Sequence, residues 1–189
     1  GSTGPLAAPP GFAYDHFPVI TVADAVRAFR RLAGALGIRQ VGLLIGGSLG
    51  AQLAVEWAAQ APGFAQRLAL LAGNARQSPW GVAWNETQRA ALRLDATWGT
   101  AHPEAGAAGM EVARQVALLS YRTHALYGAR QQDAPQDAPQ DAPQDATLAL
   151  VPAATRRAST YQAHQGRKLR ARFNAYTYYR LTEMMDSHD

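Results

Sequence analysis

An apolar run over residues 41–45 leads straight into Gly46-Gly47-Ser48-Leu49-Gly50, and a stretch rich in Ala and Leu, with Trp57, follows over about 51–60. The run is almost unbroken in its hydrophobicity, which predicts a strand buried on both faces of a parallel sheet. The stretch after it predicts a helix. Strand, turn and helix must then join within five residues. Glycines two places before and two places after the serine suit such a turn, because side chains there would collide with the strand or the helix. A serine on this turn is lifted above the sheet edge. The N–H of the next residue falls at a helix N-terminus, where it can donate to a developing oxyanion. Ser48 is therefore the candidate nucleophile and the Leu49 N–H the candidate oxyanion donor. Glycine-rich turns between strand and helix also bind phosphate. Gly46, Gly47 and Gly50 lack the Gly-x-Gly-x-x-Gly spacing, however, and no P-loop lysine follows.

The surroundings agree with this turn. Val22, Val26, Phe29, Leu32, Ala33 and Leu36 recur at helical spacing, with Thr21 as N-cap and Gly37 as stop. A second apolar strand is expected over 67–72. Helix, strand, turn, helix, strand is the alternation of a parallel α/β sheet. After Gly73 the pattern turns helical, with segments expected over 82–94, 109–126, 158–173 and 175–185. The fold class is therefore α/β: a partial α/β-hydrolase fold carrying the nucleophile elbow over 1–80, followed by a helical lid over 81–189. Within the lid, repeats of Gln-Asp-Ala-Pro occupy about 131–147. A proline in every unit bars helix and strand, and the apolar surface is too small to offset ordering, so this reads as a disordered surface insertion.

Composition removes several alternatives. With no cysteine there is no disulfide, no thiolate metal site and no cysteine nucleophile. No metal site is expected. No apolar run approaches the roughly 18 residues of a membrane span, and no signal-peptide pattern opens the sequence. A cytoplasmic protein that binds no membrane is expected. The net charge is +4, and its densest cluster is Arg167, Lys168, Arg170 and Arg172. Without interleaved stacking aromatics, this is a solvated helix face and not a nucleic-acid surface. The same charge suits a phosphorylated cofactor such as coenzyme A.

Further motifs resemble the homoserine O-acetyltransferase family, α/β-hydrolase-fold acyltransferases of methionine biosynthesis. Gly1-Ser2-Thr3-Gly4-Pro5 is similar to the family's glycine-rich segment ahead of the nucleophile helix, and Phe17-Pro18 with Thr21 and Asp24 to its FPxxTxxD stretch. The elbow with Leu53, Glu56 and Trp57 resembles GGSMGG…LEW. Asn85-Glu86 with Gln88-Arg89 resembles the FNExQR lid helix, with Trp84 in place of Phe. Residues 109–121 resemble GLxxARxxxxxxY. Tyr161, Gln165-Gly166 and Lys168 resemble YLxxQGxK, and Arg172-Phe173 through Asp186 resemble RFDANSYxxLTxxxDxxD.

The resemblance implies a ping-pong acyl transfer. Ser48 takes the acetyl group from acetyl-CoA, and the γ-hydroxyl of L-homoserine then collects it. It implies that Arg114 pairs with the homoserine carboxylate and that Tyr121, seven residues on along the same helix face, assists. Acetyl-CoA enters as a substrate, with no permanently bound cofactor. A homodimer through the lid helices is expected. Leu49 stands for the family's methionine and Ala51 for a glycine, which tightens the first helical turn. Asn174 for Asp and Tyr176 for Asn alter a lid segment.

In this family the triad acid and histidine lie beyond the lid. The residues are therefore expected to be the middle of a longer protein, lacking the triad Asp and His and giving negligible turnover by themselves. His16, His102, His124, His164 and His188 have no family counterpart as the base. Three alternatives stand beside the leading reading. One is a related acyltransferase using serine, deacetylcephalosporin or succinyl-CoA. Another is an esterase using water, against which the lid motifs argue. The last is an inactive piece that only dimerises.

Overall fold

The computed structural model describes residues 3–133 and 156–189. Gly1-Ser2 and the repeats beyond residue 133 lie outside the described residues. Two compact units result, one of Gly1–Glu86 with Tyr176–Asp189, the other of Thr87–Ala175.

The first unit opens with α1, Val22–Ala35. Thr21 caps it: its Oγ1 accepts from the Asp24 N–H at 3.0 Å, and Asp24 Oδ2 accepts from the Thr21 N–H at 3.0 Å. This reciprocal box satisfies two of the helix's orphan donors. The Thr21 hydroxyl and N–H, and then Arg27, hold the Asp24 carboxyl down to about 2. Val22 and Val26 of α1 are completely buried, whereas Phe29 and Leu32 of the same apolar stripe are exposed; each valine contributes roughly 1.5–3 kcal/mol. The chain then turns at Gly37, whose φ is 72°.

The strands are β1, Leu44–Gly47, and β2, Leu68–Leu71, joined through α2, Leu49–Gln60. They pair in parallel with Leu44 opposite Leu68 and Gly47 opposite Leu71. Helix α2 packs on both strands and α1 packs on α2. Trp57 stacks between Phe29 and Phe64, at ring distances of 6.4 and 4.8 Å. The expected burial of the first strand on both faces is not found: Ile45 is 61% exposed, and Leu43, Leu68, Leu70 and Leu71 are exposed with it. The reason is that only two strands are present among the described residues, so much of their apolar surface has no covering layer. Such a small sheet is marginal by itself.

Helix α7, Ala175–Asp186, closes this unit. The Val22 N–H donates to Ser187 Oγ at 3.1 Å, Asn85 Nδ2 donates to Asp186 Oδ1 at 2.7 Å, and Arg180 Nη2 donates to the Asp15 carbonyl at 2.6 Å. Tyr176 is fully buried, edge-on to Tyr14.

Helix α3, Pro79–Arg93, runs from the first unit into the second, which also holds α4, Ala107–Ser120, α5, His124–Gln131, and α6, Arg157–Arg170. The single helix expected over 109–126 is two helices. It breaks because the Thr123 hydroxyl accepts from the Leu126 N–H at 3.3 Å, starting α5 afresh. Helix α4 has no side-chain cap of its own. Asp95, fourteen residues upstream, fills that place by accepting from the Gly109 N–H at 2.9 Å. The Thr97 hydroxyl, backed by those helix N–H groups, holds the Asp95 carboxyl below its usual range. Helices α4 and α6 cross closely at Gly166, where a Cβ would lie 2.9 Å from the Glu111 carbonyl oxygen.

Candidate active site

Ser48 is exposed between β1 and α2, with φ 54° and ψ −122°. A non-glycine residue in that region stores on the order of 1–3 kcal/mol, and it stays there only if its surroundings over-determine it. They do. The Ser48 N–H donates to the Leu71 carbonyl of β2 at 2.9 Å, and the Ser48 carbonyl accepts from the N–H groups of Ala51 and Gln52. A Cβ on Gly46 would lie 2.0 Å from the Gly50 carbonyl oxygen, so the crossing of strand and helix requires glycine there.

The Ser48 hydroxyl and the Leu49 N–H have no hydrogen-bond partner among the described residues. Leu49 is the first residue of α2, so its N–H carries the positive end of the helix dipole. An exposed hydroxyl beside an unused donor is the arrangement that acyl chemistry needs.

The second pair of predicted residues lies on α4 and at its end. Arg114 is half-buried and Tyr121 is 64% exposed. Arg114 Nη1 lies 3.4 Å from the Tyr121 hydroxyl, and its guanidinium carbon lies 5.4 Å from the ring centroid. The spacing of seven residues does bring the two together. Tyr121 is no core aromatic in the described unit. Neither its exposure nor that of Arg114 impedes contact with a small anion. The basic cluster is solvent-facing as expected, with Arg170 bonded to Glu111 at 3.1 Å.

The histidines of the first unit are engaged elsewhere than at Ser48. His16 is exposed beside Asp15. His188 is buried, and its Nε2 lies 3.2 Å from the Asn74 carbonyl oxygen. Asn74 Oδ1 accepts from Gln52 Nε2 at 2.9 Å. Sequence reading found neither Gln52 nor Asn74. Their link spans 22 residues and has no periodic signature.

The family model for the alpha/beta hydrolase fold matches residues 1–179. A homoserine O-acetyltransferase of Cyclobacterium marinum is 39% identical over the whole chain, which covers 50% of that relative. The solved homoserine O-acetyltransferase of Staphylococcus aureus is 30% identical with a TM-score of 0.68, over 92% of this chain and 44% of that one. An acetylester hydrolase of Corynebacterium glutamicum, 18% identical, shares the fold with a TM-score of 0.75 over 96% of this chain and 48% of that one. The chain spans about half the length of the curated relatives it matches.

Proposed function

The chain belongs to the α/β-hydrolase fold family, and from that premise we propose that it is the nucleophile-bearing part of a homoserine O-acetyltransferase. The observation that carries the reading is the strained, exposed Ser48 beside the unused Leu49 N–H. Identity of 39% to a protein of that name, against 18% to the acetylester hydrolase, favours acyl transfer over hydrolysis.

Ser48 Oγ attacks the thioester carbonyl of acetyl-CoA and gives its proton to a general base. The Leu49 N–H stabilises the tetrahedral oxyanion. The C–S bond breaks, coenzyme A leaves as the thiol with that proton, and Ser48 is acetylated. The γ-hydroxyl of L-homoserine then attacks the acyl-serine, again losing its proton to the base. O-acetyl-L-homoserine leaves, and Ser48 recovers its hydrogen. Splitting the transfer this way replaces one difficult step by two easier ones. Arg114 holds the homoserine carboxylate through a planar, charge-assisted contact, with Tyr121 beside it. The base and its carboxylate partner come from the half of the protein outside this chain, whose strands also cover the exposed β1 and β2. A serine without them loses several orders of magnitude in rate.

Two copies pair through the lid helices, where Val112, Leu119 and Leu126 are exposed, in the cytoplasm. Acetyl-CoA given alone to the whole protein should add the mass of one acetyl group to the peptide holding Ser48. An unlabelled protein, or a label on another residue, sinks the proposal.

A further inference from the structure

The first turn of α2 is braced from behind by the chain leaving β2. Ala72 has φ 49°, the second non-glycine residue of this neighbourhood in the left-handed region after Ser48. The turn it makes lays Gly73 on the nucleophile helix. A Cβ on Gly73 would lie 2.3 Å from the Ala51 Cβ and 3.7 Å from the Ser48 carbonyl oxygen. The methyl of Ala51, 1% exposed, is what fills this contact. Gly73, next to Ala72, and Ala51, in the first turn after Ser48, thus meet across a contact with no slack, and a shift of the 72–74 turn is passed to the first turn of α2.

Two buried polar side chains hold that turn. Gln52, one turn beyond Ser48, donates through Nε2 to Asn74 Oδ1 at 2.9 Å, and His188 lies with Nε2 3.2 Å from the Asn74 carbonyl oxygen. A carbonyl only accepts, so the proton is on Nε2. The ring closes through Gln77, whose N–H donates to the His188 carbonyl at 2.9 Å and whose Oε1 accepts from Asn74 Nδ2 at 3.0 Å. Stability alone does not account for this arrangement. Among the described residues, Gln52 Oε1 and His188 Nδ1 are both buried without a partner, and an apolar filling would avoid that cost. Asn74 itself is exposed, so two buried donors are committed to a surface turn.

We propose that His188 and Gln52 are positioning residues. Acting through Asn74, they lock the 72–74 turn against the first turn of α2 and so fix the Ser48 hydroxyl and the Leu49 N–H. His188 therefore serves the nucleophile without touching substrate. The inference rests on Ser48 being the acylated residue.

The test is rapid-quench acetylation of Ser48 by acetyl-CoA in the whole protein. His188→Phe keeps the ring and removes the N–H, His188→Gln returns an amide donor at similar reach, and Gln52→Met removes the other donor. His188→Phe and Gln52→Met should each slow acetylation on the order of tenfold to a hundredfold, the effect of a small misplacement, with KM for acetyl-CoA nearly unchanged. His188→Gln should stay within about threefold of wild type, and the double variant should lose about as much as the worse single one, as coupled residues do. A folded His188→Phe protein with the wild-type rate overturns the proposal. So does equal impairment of the Phe and Gln variants, or additive losses in the double variant. If His188→Phe does not fold, a wild-type rate in Gln52→Met is enough to overturn it. Absence of any label on Ser48 in the wild type removes the function proposed above, and this inference with it, and is distinct from the other outcomes.

Discussion

Ser48 and Arg114 are held in opposite ways. Backbone constraints fix the serine: a forced turn, a β-ladder bond to Leu71, and a glycine that admits no Cβ. The arginine is held by its own flexible side chain and one long contact of 3.4 Å to an exposed tyrosine. The first kind of site is a property of the fold, available to any chemistry the fold hosts. The second is a property of a few side chains, and under the proposed function it is the place where one acceptor would be told from another. Under the proposed function, catalytic class and substrate choice would thus reside in separate kinds of structure.

The strongest attack on that contrast is at the elbow. Gly46→Val should cost about 3 kcal/mol or more, as forced overpacking against backbone does, and should abolish Ser48 acetylation. Thermal unfolding and acetyl labelling of the whole protein measure both. Normal labelling would mean the turn is not backbone-determined. A more selective loss is expected at Arg114→Ala. Removing a charged, planar contact should raise KM for homoserine about tenfold to a hundredfold while Ser48 acetylation by acetyl-CoA stays near wild type. If both half-reactions fall together, Arg114 does not choose the acceptor.

The smallest effect tests a purely local element. Thr21→Ala removes the cap of α1 and should cost about 1 kcal/mol. Asp24 sharpens this with pH. Its folded pKa lies near 2, below the ordinary 3.8, so its stabilisation is present above that value and is lost as pH falls towards 2. In Thr21→Ala this acid limb should flatten, which thermal melts between neutral pH and pH 2 would show. An unchanged limb means the box does not set the Asp24 carboxyl.

Local physics explains what sequence reading captured. Thr21, the 3.6-residue apolar spacing and Gly37 define α1 within one residue, because a cap, a stripe and a stop are all contiguous. The elbow was legible because its geometry forces glycine two places before the serine; the collision expected two places after it is absent, since a Cβ on Gly50 would meet nothing within 4 Å. Burial of Ile45 was overestimated because an apolar run records what a strand is built to meet, and its covering layer is not among the described residues. The break between α4 and α5 was missed because Leu118, Leu119 and Leu126 keep helical spacing across it, while the one cue, Thr123, is also tolerated inside helices. Asp95 over the start of α4, and the Gln52, Asn74 and His188 contacts, were hidden for a further reason. Such bonds join distant positions through single polar atoms and leave no period in the sequence.

The open sheet has a consequence for how these residues behave in a cell. Among the described residues, β1 and β2 each keep one unpaired edge, flanked by exposed Ile45, Leu70 and Leu71. A row of free N–H and C=O groups beside leucine and isoleucine is a template for strand addition, and identical chains are its nearest source. With those edges uncovered, this stretch is therefore expected to recruit chaperones and to seed insoluble aggregates.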